Sequence, residues 1–194
     1  MAPSRVVSVN LAHVIETPRI RRGGHRDVKP PRTGIDKRPV NGPVSVGPLG
    51  LAGDSILDTA NHGGLLQAVY ACAAEDLAWW RSELADEHAH PVTPGSFGEN
   101  LTVEGIDVNG ARAGDRWTIG TVVLEVTAPR IPCSTFAGFM AVPRWVKRFA
   151  LAERPGAYLR VVTPGEVTAG DAVSVSAAAD GPTISEVFAA HYGR

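Results

Sequence analysis

The sequence predicts a mainly β protein, a β-rich α+β fold in which a closed or partly closed β-barrel carries a few peripheral helices and a short C-terminal helix. Three observations predict it. Fifteen prolines and twenty-one glycines divide the 194 residues into short pieces. Many of those pieces are Val-rich, as pleated strands prefer. The tripeptide Ala-Gly-Asp occurs three times, at 52–54, 113–115 and 169–171. Glycine supplies a positive φ and aspartate caps the turn. Two of the copies lead into alternating runs, Arg116-Trp-Thr-Ile and Ala172-Val-Ser-Val. The spacings are unequal and the flanks do not match, so this is recurrent corner chemistry and not a repeat.

Taken in order, the strands are expected at Arg5–Ala12, Val44–Gly47, Gln67–Ala71, Asn100–Val103, Arg116–Ile119, Thr121–Thr127, Ala157–Val162 and Ala172–Ser176. A helix is expected over Ala73–Glu87, where Ala73, Leu77, Trp80 and Leu84 share a face and Glu75 and Asp76 suit the positive helix start. Pro143 opens a second helix to about Glu153, burying Val142, Trp145, Val146 and Phe149, and Arg154-Pro-Gly156 ends it. A third, about Thr183–Tyr192, puts Ile184, Val187, Phe188 and His191 on one side; alone it is marginal and must dock. Residues 1–178 are read as the barrel domain and 179–194 as the short C-terminal helix.

This length suits one domain. Two cysteines fit a reducing compartment, no cationic and apolar leader opens the chain, and no apolar run approaches the ~20 residues of a membrane span. The expectation is a soluble cytoplasmic protein, monomer or homodimer, without membrane contact. Net charge is −1, but Arg19–Arg38 holds eight Lys/Arg against Asp27 and Asp36, +6 against −7 elsewhere. That stretch is either a solvated loop or an entry path for an anionic ligand. Nucleic acid is not an expected partner, since no aromatic-interleaved basic motif accompanies it.

The most informative residue is Cys133. It closes Val126-Thr-Ala-Pro-Arg-Ile-Pro-Cys133, directly after the alternating run Thr121–Thr127. Two prolines remove backbone donors and stop the strand. A thiol in a stiff turn three residues from Arg130 can be exposed and stabilised as thiolate, which suits a soft-metal ligand, a nucleophile or a sulfur carrier. Arg130 carries a fixed bidentate fork for phosphate. Cys72, in contrast, shares a strand face with Ala68 and Tyr70 and reads as core.

Other candidates surround it in the sequence. His62-Gly63-Gly64 precedes a strand, so the imidazole sits at a loop-to-strand junction and the glycines admit a close ligand; the same triplet also serves as an ordinary turn. In Ser96-Phe-Gly-Glu-Asn-Leu101, Asn100 can bond a heterocycle edge and Glu99 can hold a cation or tune a proton, or both satisfy loop backbone. Pro39 keeps Lys37 and Arg38 extended, as phosphate partners or as a solvated pair. There is no P-loop, no G-x-G-x-x-G, no G-x-S-x-G and no zinc spacing.

The ordered set Gly34-Ile-Asp-Lys37 with Pro39-Val40, Gly50-Leu-Ala-Gly-Asp54, His62-Gly-Gly64, Phe97-Gly-Glu-Asn-Leu101, Gly114-Asp115 and Ala128-Pro-Arg-Ile-Pro-Cys133 resembles the MOSC domain family, the molybdenum-cofactor sulfurase C-terminal domain. In particular it resembles the stand-alone bacterial YiiM-like branch, over about residues 5 to 176. The resemblance implies a β-barrel whose cleft binds the pyranopterin molybdenum cofactor, with Cys133 as molybdenum ligand. It also implies an oxidoreductase that removes oxygen from N-hydroxylated purines and amidoximes, a detoxification of N-hydroxylated bases. Two departures stand out: Leu65-Leu66-Gln67 is uncharged where relatives carry charge, and the chain stops after about one helix where relatives often continue into a three-helix extension.

On that resemblance, Lys37, His62, Gly63, Gly64, Asn100 and Arg130 surround the cofactor with Cys133, and His62 or Glu99 supplies protons. Two cysteines cannot build a four-cysteine iron–sulfur site and no flavin glycine motif appears, so a separate flavin or iron–sulfur donor is expected. Pyridoxal phosphate is not expected. The alternative is a non-catalytic carrier of molybdenum cofactor or of a persulfide on Cys133.

Overall fold

The computed structural model describes residues 4–16, 32–84, 91–177 and 180–194. Its strands are β1 Arg5–Ala12, β2 Ile15–Glu16, β3 Arg32–Thr33, β4 Lys37–Pro39, β5 Val44–Gly47, β6 Gly50–Leu51, β7 Val69–Ala73, β8 Leu101–Glu104, β9 Arg116–Ile119, β10 Val122–Pro129, β11 Ala157–Thr163, β12 Gly165–Val167 and β13 Val173–Ser176. The helices are α1 Ala74–Leu84, α2 Ser134–Met140, α3 Trp145–Ala152 and α4 Ile184–His191. The basic residues 19–31, the expected continuation of α1 to Glu87 and the expected boundary at 178 lie outside the described residues.

Alternation makes the main sheet. Val122, Leu124 and Val126 of β10 point inward, as do Trp117 and Ile119 of β9. The sheet has eight strands in the order β13-β9-β10-β11-β7-β8-β1-β4, antiparallel except where β7 runs parallel to β8. The expected barrel is corrected here, because the order has two ends, β13 and β4, and the ladders do not close. What joins the two sides is one isolated bridge, Arg5 to Ala172, with backbone bonds from Val6 N to Asp171 O (2.9 Å), Gly170 N to Val6 O (2.8 Å) and Val173 N to Ser4 O (2.9 Å). A register irregularity between Val6 and Ser8 bends β1 just beyond that seam. A small sheet, β12-β5-β6, completes the β structure with the pair β2-β3.

Aliphatic residues fill the inside of the sheet, and a second, aromatic core lies between it and the helices. Trp80 of α1 stacks on Phe149 of α3 with centroids 5.8 Å apart, and Phe136 of α2 meets Trp145 edge-on at 5.2 Å. Phe188 docks α4 against Phe149 at 6.0 Å. Such pairs add about 0.5–1.5 kcal/mol each beyond area burial. Thr183 and Glu186 form a capping box that starts α4.

Several expectations shift by a turn. Gln67 belongs to a 3-10 turn, Leu65–Gln67, and the strand begins at Val69. The segment after Cys133 folds as α2, which two prolines and a short length concealed. The second helix begins at Trp145 and not at Pro143, because Arg144 adopts a left-handed φ of 57°. Val146 stays 38 % exposed while Trp145 and Phe149 are buried. No helix among the described residues is long and apolar enough to cross a membrane.

Candidate functional site

The site begins where β10 stops alternating. Its pairing with β11 slips between Val126 and Ala128, so the chain is re-aimed as it leaves the sheet. Pro129 is still paired, to Ala157, and Arg130 then turns back into the protein, 6 % exposed. Its guanidinium carbon lies 3.7 Å from the Phe136 ring centroid and 5.5 Å from that of Tyr70. It also hydrogen-bonds the Tyr158 hydroxyl. Nη1 of Arg130 is buried and has no hydrogen-bond partner among the described residues. A buried cationic nitrogen is costly unless a partner, a water or a ligand satisfies it.

Cys133 follows at the extended residue that precedes α2 (φ −108°, ψ 173°), partly exposed. Burial disfavours its thiolate. The hydrogen bond from His62 outweighs that together with the Phe136 backbone N–H, which faces the sulfur short of a cap geometry, and the charges of Arg130 and His62, bringing the thiol down from 9.0 to about 7. The same hydrogen bond raises His62 above its ordinary value against partial burial; the thiolate and Asp58 add to the rise and Arg130 opposes it. His62 and Cys133 therefore share a proton near neutral pH. Asp58 reaches the histidine through the loop, whose backbone bonds His62 N to Asp58 O at 3.0 Å.

Both glycines after His62 have φ of 79°. A Cβ on Gly63 would meet Ile56 at 2.9 Å, whereas around Gly64 nothing lies within 4 Å. The open space is thus at Gly64, where a group can approach the backbone closely.

Lys37 and Asn100 are engaged elsewhere. Both bind Asp54: the Lys37 ammonium pairs with Oδ2, the Asn100 amide donates to it at 2.8 Å, and Ala12 N donates to Oδ1 at 2.9 Å. Lys37 and the Asp54 side chain are each 8 % exposed. Burial lowers the lysine and Asp54 counteracts it; the same pair holds Asp54 below its usual value against desolvation. Glu99 is fully buried and accepts from Gly95 N (2.5 Å), Phe97 N (3.0 Å) and Thr102 Oγ1 (3.0 Å), with burial pushing its pKa up. It holds its own loop, the bland alternative for that residue. Tyr70 links the two groups, since its backbone exchanges bonds with Asn100 (3.2 and 2.8 Å) while its ring lies under Arg130.

The ordered residues thus form two clusters, His62–Arg130–Cys133 and Lys37–Asp54–Asn100, on either side of Tyr70. These residues come from every segment that carried the resemblance except 114–115, and a profile of known families decides the matter by matching residues 58–174. The chain belongs to the MOSC domain family. Within it the chain is YiiM-like. It is 34% identical over 144 residues to YflK of Bacillus subtilis, covering 74% of this chain and 63% of that protein. It is 31% identical over 147 residues to a protein named Reductase from Gibberella moniliformis, covering 73% of this chain but 25% of that one. The YiiM structure from Geobacillus stearothermophilus superposes with a TM-score of 0.75 at 26% identity, over 98% of this chain and 84% of the other. The matched region is thus less than two thirds of the length of either of these two sequence relatives.

In this MOSC domain the reading of the sequence missed Asp54, Tyr158 and Tyr70. Asp115 and Asp171 cap their turns as the repeated tripeptide predicts, accepting from Arg112 N and Thr168 N at 2.8 Å each. Asp54 sits in an identical tripeptide and is buried against Lys37 instead, so the local pattern carries no signal of the difference. Tyr158 follows from strand alternation only once the pairing of β11 is known. Among the described residues no three His, Cys, Asp or Glu side chains cluster as a metal cage.

Proposed function

We propose that this protein binds the pyranopterin molybdenum cofactor against Cys133, His62 and Arg130 and reduces N-hydroxylated substrates, such as N-hydroxylated purines and amidoximes. The observation that carries this reading is the unpartnered, buried Arg130 Nη1 in electrostatic contact with a thiolate of pKa about 7. The residues suit the group. A thiolate is the softest side-chain ligand for a metal held by sulfur, the free fork of Arg130 suits an anionic oxygen, and Gly64 leaves room beside the backbone. Lys37 and Asn100 support the wall behind Tyr70 through Asp54.

When bound, the reduced cofactor would supply two electrons to the substrate and take its oxygen. His62, hydrogen-bonded to Cys133 Sγ, would pass one of the two protons needed for the oxygen to leave as water, and solvent would supply the other. Arg130, held between Phe136 and Tyr158, would place its charge toward the anionic group. Electrons would come from a flavin or iron–sulfur group outside these 194 residues, because their two cysteines cannot hold a four-cysteine cluster. The name Reductase borne by the Gibberella relative, most of which lies outside the matched region, supports a redox reading.

Expression in a molybdopterin-competent host, metal analysis of the fresh protein and reduction of N-hydroxylaminopurine with an artificial donor test the proposal. Bound molybdenum with turnover, both lost in Cys133→Ala, is the expected result; no metal and no turnover would sink it. The same His62-stabilised thiolate supports a second reading, a sulfur carrier. Mass spectrometry showing an added sulfur on Cys133 without turnover selects that one.

A further inference from the structure

Away from Cys133, a groove of about 650 Å³ lies on the outer side of α3, between the end of α2 and the last residues of the chain. Its volume falls in the range of small-molecule sites, about 300–1,000 Å³. The floor is mostly aliphatic: Val142, Val146, Ala150 and Leu151, with Trp145 at one side and Tyr192 at the other. Val146 and Leu151 are 38 % and 60 % exposed, unusual for large aliphatics that face one hollow together. The described lining contains three cations, Arg144, Lys147 and Arg194, and no carboxylate. Arg194 is steadied by Glu153 at 3.3 Å and by the Ala150 carbonyl, while Arg144 and Lys147 are exposed. Arg144 holds its place with φ of 57°, a conformation that non-glycine residues rarely adopt and that clusters at binding sites.

With Arg194 paired to Glu153, the rim offers two exposed cations, Arg144 and Lys147, and over an aliphatic floor they complement an apolar chain that ends in an anion. We propose that this groove binds a free medium-chain fatty carboxylate, its chain along Val142, Val146 and Leu151 and its carboxylate at Arg144 and Lys147. Ala137 of α2 also lines the groove and bonds the Cys133 carbonyl through its amide at 3.0 Å, so the ligand lies one helical turn from the thiol without touching it.

Calorimetric titration of the full chain with dodecanoate, below its micelle concentration, tests this. Saturable binding at one site is expected, with decanoate about fifteenfold weaker, since each buried methylene is worth about fourfold. Dodecanol should bind at least about fivefold more weakly, for want of charge. Leu151→Asp and the pair Arg144→Glu with Lys147→Glu alter exposed side chains, so they should keep the wild-type melting temperature and weaken dodecanoate about tenfold or more. Absence of saturable heat, equal affinity in the variants, equal affinity for dodecanol, or binding to anionic phosphatidylglycerol vesicles without binding to free dodecanoate would each overturn it.

Discussion

Replacing His62 with glutamine removes the imidazole whose hydrogen bond and charge favour the thiolate of Cys133, and the consequence can be worked through. With the thiol at about 7 rather than 9.0, half is ionised at pH 7 where an ordinary cysteine would be about 1% ionised. Burial is the largest influence on Cys133 and opposes the charge, so without the imidazole only the Phe136 amide and Arg130 act against it. The midpoint should rise by at least about one pKa unit, equivalent to about 1.4 kcal/mol. If it returns to 9.0, the ionised fraction at pH 7 falls about fiftyfold. Each remaining thiolate becomes about eightfold more nucleophilic, for a Brønsted slope near 0.45, so net alkylation slows about sixfold. The assay is the pH dependence of iodoacetamide modification read by mass spectrometry at Cys133, with Cys133→Ala as the blank. Cys72 should stay silent, because burial pushes its thiol well up. A wild-type midpoint near 9, or an unchanged midpoint in His62→Gln, would refute the pairing.

Three further outcomes follow from the same geometry. Asp54→Asn strands a buried ammonium and should cost about 3–5 kcal/mol in urea unfolding. Because Asp54 titrates below its unfolded value, the wild type should lose part of its stability as pH falls below about 3.8, a loss that the variant lacks. Arg130→Met removes an unsatisfied nitrogen worth about 1–3 kcal/mol and a cation–π contact worth about 2, so the melting temperature of apo protein should barely move while cofactor content drops. Gly95→Ala places a Cβ 2.1 Å from the Lys37 carbonyl and should destabilise by about 3 kcal/mol or more, whereas Gly64→Ala, with nothing within 4 Å, should cost about the 1–3 kcal/mol of its glycine-only backbone (φ 79°, ψ 178°).

The strands and the three helices with clear periodicity were legible because their signals are local. β1, β5, β9 and β13 fall within a residue or so of where alternation puts them. α2 was not legible, since its seven residues, Ser134–Met140, carry too little periodicity to separate a helix from a turn. Closure of a barrel was not legible either, because an edge meets another edge through long-range pairing that no local window contains; among the described residues Arg5 and Ala172 form the bridge.

The site divides in the same way. By itself the sequence determined that a stiffly held thiol follows a strand, that an arginine stands three residues before it, and that a His-Gly-Gly turn and a Glu-Asn loop exist, because prolines and glycines act on the backbone beside them. Only the tertiary structure decided which of these meet. It brought His62 across seventy residues of chain to the sulfur, left Nη1 of Arg130 without a partner among the described residues, and gave Lys37 and Asn100 to Asp54, in one of three identical tripeptides. Charge pairing and burial are properties of packed neighbours, and in this chain the neighbours come from segments far apart in sequence.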